Sequence, residues 1–160
     1  MDLAIVETGN GGDIQLLGND LQMVFNGENN IYLGLFGGNK EQVTRNRVSE
    51  AQSFDFWANN LFFPSNQSAQ FNSTTEKTFQ NTALTSSGRV LIENAMKEDL
   101  KFMTDFGKVE VSATITATDR IEVIIKWITP EGGPAVTIIN YRKTTDGDFF
   151  VLDFNNDFNL

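Results

Sequence analysis

The chain has no cysteine and no histidine among its 160 residues. Those two absences exclude disulfide frameworks, thiolate or imidazole metal sites, and Ser-His or Cys-His catalytic arrangements. Cations are also scarce, with 12 Lys and Arg against 21 Asp and Glu, a formal net charge of −9 and a pI near 4.4. Affinity for nucleic acid comes largely from Lys and Arg displacing phosphate counterions, so this balance opposes a nucleic-acid partner. No apolar run reaches the length of a membrane span, and "MDLAIVETGN" lacks the basic start and apolar stretch of a signal peptide. The expectation is a chain made in the cytoplasm.

Apolar residues make up 40% of the sequence, including 14 Phe, enough to bury a core within one domain spanning 1–160. Near the start, "GGDIQLLGNDLQMV" alternates apolar and polar residues about Gly18-Asn19 and reads as a hairpin. Ile14 and Leu16 face Leu21 and Met23 in this reading, within an N-terminal hairpin layer over residues 1–27. "NNIYLGLFGG" follows, a helix capped at Asn29 or Asn30, or else a buried strand. From Asn39 to Ser73 neither periodicity holds, yet Phe54, Phe56, Trp57, Phe62, Phe63 and Phe71 fall there. So many aromatics indicate an irregular segment that packs on its own core or on a neighbouring subunit.

Ser73 is a candidate N-cap for a short helix over "TTEKTFQNTAL", and Thr85 or Ser86 begins a longer one through Asp105, stopped by Gly107. On a helical wheel Leu91, Ile92, Ala95, Met96, Leu100, Phe102, Met103 and Phe106 form one apolar arc. Asp99 interrupts it. Either the edge of the arc is wet at that point, which the rarity of buried carboxylates favours, or Asp99 meets a donor from elsewhere in the fold or from a partner. On the first reading Asp99→Leu leaves stability intact, and on the last Asp99 joins the candidate interface. Four strands then follow: 109–118, 121–128, 135–143 and the run "DFFVLDF". The fold class read from this order is α+β, an antiparallel meander of about four strands with the long helix across its apolar face.

The search for chemistry yields little. "GNGGDI" has Ile14 where a dinucleotide-binding loop needs its third glycine, so it reads as a turn. "DFNNDFN" spaces Asp153, Asn155 and Asp157 like a calcium loop, but Phe158 replaces the required glycine and no Glu follows. No cofactor is expected. Acidic pairs could in principle serve a glycan hydrolase, although none stands in a distinctive context.

The order of features suggests a family. The hairpin "GDIQLLGNDLQMV", the apolar "NNIYLGLFGG", the aromatic "FDFWANNLF" and the helix-to-strand run "TALTSSGRVLIENAMKEDLKFMTDFGKVEVSATI" together resemble the small baseplate wedge proteins of contractile phage tails, the Mu-like branch in particular. The resemblance spans roughly Asp13 to Arg142 and implies a non-enzymatic virion protein of the tail baseplate. It implies several copies around the tail axis, docking on other wedge proteins, the tail sheath protein and tube-proximal hub proteins, with strand edges on which sheath assembly begins. Type VI secretion relatives carry a Glu-Pro-Arg motif where the helix meets the strand. Here that position reads Asp105-Phe106-Gly107-Lys108, so the motif's contact would have to be made through other residues. The alternatives are an adaptor module of another tail-like particle and, more remotely, a carboxylate-dependent peptidoglycan hydrolase.

The candidate edge is the third strand of the meander. Its residues Thr137, Ile139, Asn140, Tyr141, Arg142 and Lys143 are taken to await a partner strand, with Ile139→Pro expected to block assembly and spare the monomer.

Overall fold

Alternation in the last third of the chain becomes a four-stranded antiparallel sheet. The computed structural model describes residues 2–7, 12–24, 28–38, 65, 66, 70–128, 134–146 and 149–158. In it β7 (Lys108–Ala117), β8 (Arg120–Ile128), β9 (Pro134–Lys143) and β10 (Phe149–Phe158) lie in sequence order, each paired antiparallel with the next. This is the α+β meander expected from the pattern. One face carries Val111 and Ala113 of β7, Ile121, Val123 and Ile125 of β8, and Ile139 and Tyr141 of β9, all buried. Period-two spacing puts these side chains on one side of the pleat.

Against that face lie α1 (Glu28–Phe36), α2 (Thr75–Asn81) and α3 (Ser86–Asp99). They contribute Ile31, Leu35, Phe79, Ile92 and Met96 to one continuous core. Each such side chain stabilises the fold by about 1.5–3 kcal/mol relative to exposure. Thr85 caps α3, its hydroxyl accepting from the Gly88 amide at 3.2 Å. Gly88 itself is buried where a Cβ would lie 1.9 Å from the Ala83 carbonyl, so only glycine lets this first turn tuck against the preceding loop.

The long helix ends sooner than its apolar arc suggests. Beyond Asp99 the chain tightens into a 3-10 segment, Lys101–Asp105, which turns in about three residues where an α-helix takes 3.6. The change of phase keeps Leu100 and Met103 inside but turns Phe102 and Phe106 outward, and Leu91 is exposed at the edge of the arc.

The N-terminal hairpin exists but opens after two residue pairs. Leu16–Leu17 (β4) pairs with Asp20–Leu21 (β5) about Gly18, whose φ of 66° suits the first position of a tight hairpin turn. Beyond it the two strands part. Gly12–Ile14 (β3) pairs with Ile5–Glu7 (β2), and Met23–Val24 (β6) pairs with Asp2–Leu3 (β1). Three short ribbons therefore meet at Ala4, Gln15 and Gln22. There the backbone closes a triangle: Ala4 donates to Gln22 (2.8 Å), Gln22 to Gln15 (2.9 Å) and Gln15 to Ala4 (3.0 Å). Each amide freed by the parting strands thus finds a carbonyl, as a backbone group away from water requires. Asn29, expected as a helix cap, instead lies inside α1 and ties the junction to the core. Its side chain donates to the Leu3 carbonyl (2.5 Å) and accepts from the Ile5 amide (3.2 Å), on either side of Ala4.

Candidate functional site

The sheet order corrects the choice of edge. β9 is an interior strand, paired along its length with β8 on one side and β10 on the other. The fourth strand extends further than "DFFVLDF" suggested and occupies the side of β9 that was expected to be free. Thr137 and Ile139 are wholly buried, and Tyr141 is buried with its ring 4.2 Å from that of Phe79. Asn140 is half-buried on the opposite face. Arg142 is exposed, its Nε donating to Asp119 Oδ2 at 3.0 Å; Asp119 thereby stands beside Arg120, which the register places directly across from Arg142. None of these residues forms a free strand edge.

Asp99 and Lys143, both taken as interface candidates, do structural work at opposite ends of α2. Asp99 accepts from the Thr74 amide (2.9 Å to Oδ2), the Thr75 amide (2.8 Å), the Thr74 hydroxyl (3.0 Å) and the Thr75 hydroxyl (2.5 Å). Ser73 Oγ lies 3.2 Å from the same carboxylate and also donates to the Leu35 carbonyl. The carboxylate therefore caps α2 from another helix, in place of a residue of its own N-terminus. At the other end Lys143 Nζ donates to the carbonyls of Phe79 (2.8 Å), Gln80 (2.9 Å) and Thr82 (2.6 Å). Burial pushes the Lys143 pKa down from its ordinary value. An anion at the N-terminus and a cation at the C-terminus both oppose the helix dipole favourably. The wet-edge reading of Asp99 is thus overturned by a donor set that sequence spacing could not reveal, because it lies 24 to 26 residues upstream.

The edges of the sheet are β7 and β10. α3 guards the first. Arg89 Nη1 donates to the Ala113 carbonyl at 3.2 Å and to Glu93 Oε2 at 2.8 Å, and Glu93 accepts from the Ala113 amide. One ion pair so occupies both backbone groups of Ala113. A hydrogen bond from Lys97, helped by its charge and by Arg89, holds the Glu93 carboxyl below the usual carboxylate range.

The second edge is different. β10 pairs with no strand on its far side among the described residues, although it touches β2. It is bulged at Leu152, between the pairs Val151–Tyr141 and Asp153–Asn140. Phe150 and Leu152 are exposed. A second exposed apolar group lies on the N-terminal ribbons, where Ile14, Leu16, Leu17, Leu21 and Met23 all meet solvent. Alternation had marked these residues as a hairpin, but not that both of its faces stay uncovered.

The aromatic candidates Phe54, Phe56, Trp57, Phe62 and Phe63 lie outside the described residues. Among the described residues no three acidic side chains are grouped to hold a metal ion, and no helix is long and apolar enough to cross a membrane. Compared with protein-family models, curated proteins and solved structures, the chain matches none.

Proposed function

We propose that the chain is a structural subunit of a contractile-tail baseplate, docking on wedge subunits and helping to initiate the sheath through a strand edge. The observation that carries the reading is β10, a ten-residue edge strand with exposed Phe150 and Leu152 and no strand on its outer side among the described residues. An open edge offers a row of main-chain donors and acceptors, and apolar side chains beside it supply anchors. The order of sequence features that resembles baseplate wedge proteins supports the choice of particle. The role is one of assembly, without catalysis.

Co-expression with wedge and sheath proteins of a contractile tail tests the reading. The native chain should co-purify with them in particles, and imaging should find β10 at a subunit contact. The double substitution Phe150→Asp with Leu152→Asp should prevent incorporation while leaving the melting temperature of the isolated protein within a few degrees. Particles that form with this variant, or that lack the chain, would refute it. Turnover of peptidoglycan by the purified protein, abolished by replacing one Asp or Glu, would favour the hydrolase instead.

A further inference from the structure

The charge of the chain is segregated. Residues 1–39 hold five Asp or Glu and no Lys or Arg, residues 144–160 hold four and none, and residues 40–143 hold twelve of each. The entire net charge of −9 therefore belongs to the two end segments, and the contact of β10 with β2 puts a strand of one beside a strand of the other. In that acidic region the β4–β5 hairpin presents Leu16 and Leu17 at 65% and 69% exposure, with Leu21 and Asp20 also exposed. Leu16 and Leu21 are cross-strand partners on one face of the ribbon, and Leu17 lies on the other. Among the described residues no element covers these leucines, and burial is what makes leucine favourable in a fold.

From this we infer that the β4–β5 hairpin is a docking arm for a protein surface in which Lys and Arg surround an apolar pocket. Charge selects that occupant. A second copy docking through the same end would bring one acidic region against another, and nucleic acid or an anionic bilayer would be repelled in the same way. A basic protein surface gains on approach from the charge and on contact from the leucines, which would fill the pocket as anchors. The inference takes from the proposed assembly role only that the partner is a protein; the arm is separate from the β10 edge and is testable without particles.

The test uses the full chain and a fluorescein-labelled amphipathic helical peptide of Leu and Lys as probe, read by anisotropy. A companion peptide with Glu in place of Lys is the charge control. α3 supplies an internal control, because Val90 and Leu91 are also exposed but lie in the electrically balanced part of the chain. The Leu/Lys peptide should bind, and Leu16→Ser with Leu17→Ser should weaken it by about tenfold or more, as loss of interface anchors does. Val90→Ser with Leu91→Ser should change it by less than about twofold, and raising salt from about 50 to about 300 mM should weaken binding to the native chain. Asp20→Asn keeps an acceptor for the Leu21 amide, now at 2.8 Å from Asp20 Oδ1, and should weaken binding through charge alone, so the inference stays testable should the serine variant fail to fold. Equal binding of the Leu/Glu peptide, equal losses at both leucine-bearing sites, an Asp20→Asn variant that binds like the native chain, or dilution-dependent self-association abolished by the hairpin variant would each overturn it. Failure of β10 variants to enter particles bears only on the assembly role.

Discussion

Replacing Asp99 by leucine tests the most consequential polar contact in the fold. The substitution removes the acceptor for two backbone amides, Thr74 and Thr75, and for the hydroxyls of the same residues. Hydroxyls can rotate toward other acceptors, but the amides at the first turn of α2 cannot. A donor left unsatisfied costs about 1–3 kcal/mol, less where water can reach it, and the lost charge at the helix N-terminus adds about 0.3–1 kcal/mol. Because Asp99 is only half-buried, the lower part of that range applies, and Asp99→Leu should cost about 3 kcal/mol. For a chain of this size that lowers the melting temperature by about 6–12 °C. Asp99→Asn keeps one carbonyl acceptor and should cost about half as much. Urea unfolding with an unchanged m-value is the measurement, and a double-mutant cycle with Thr75→Val should return a coupling energy of about 1 kcal/mol or more. A leucine variant within about 1 kcal/mol of the native protein, or a cycle without coupling, would refute the capping role.

Ile139→Pro, expected from the pattern alone to spare the monomer, should instead unfold it, since it removes a donor from an interior strand and disturbs a wholly buried site; circular dichroism of the purified variant decides this. Gly88→Ala should cost about 1–3 kcal/mol in denaturant unfolding, because its methyl group meets the Ala83 carbonyl and the backbone must shift. Glu93 has its folded pKa lowered from 4.5, so the stability it gives is complete above the unfolded value and is lost as pH falls through the folded one. Glu93→Gln should therefore flatten the acid limb of the stability–pH curve below pH 4.5, and Glu93→Ala, which leaves the Ala113 amide without its side-chain acceptor, should increase self-association seen by light scattering.

Strict alternation made the sheet legible. Val109 to Ala117 and Ile121 to Trp127 carry their own period, and the register follows from which face is apolar. The helix boundary at Asp99 was not legible, because the arc through Met103 and Phe106 continues smoothly in sequence while the backbone changes pitch beneath it. The roles of Asp99 and Lys143 were hidden for another reason. Both act on α2 through groups 24 to 64 residues away, and a charged side chain on a wheel or a strand looks alike whether it faces water, a partner or a distant helix end. The choice of β9 as an edge failed on topology: β10 fills its far side, and the cations Arg142 and Lys143 that seemed to keep it soluble are held by Asp119 and by carbonyls at the end of α2. The hairpin about Gly18 was visible, but the parting of its strands depends on a third strand from residues 2–7, a pairing no local signal encodes.

The triangle of Ala4, Gln15 and Gln22 has a consequence for how this protein can diverge. The β4–β5 ribbon ends blind at Gly18, and the β1–β6 ribbon leads back through β6 toward the rest of the chain. Residues added at a blind tip would leave the triangle, the Asn29 clamp and the core untouched, and closing a longer loop costs only about 0.6 kcal/mol per doubling of its length. Relatives of this chain can thus lengthen or shorten the reach of the Gly18 tip as freely as a tool changes its bit, with the chuck held in three backbone hydrogen bonds.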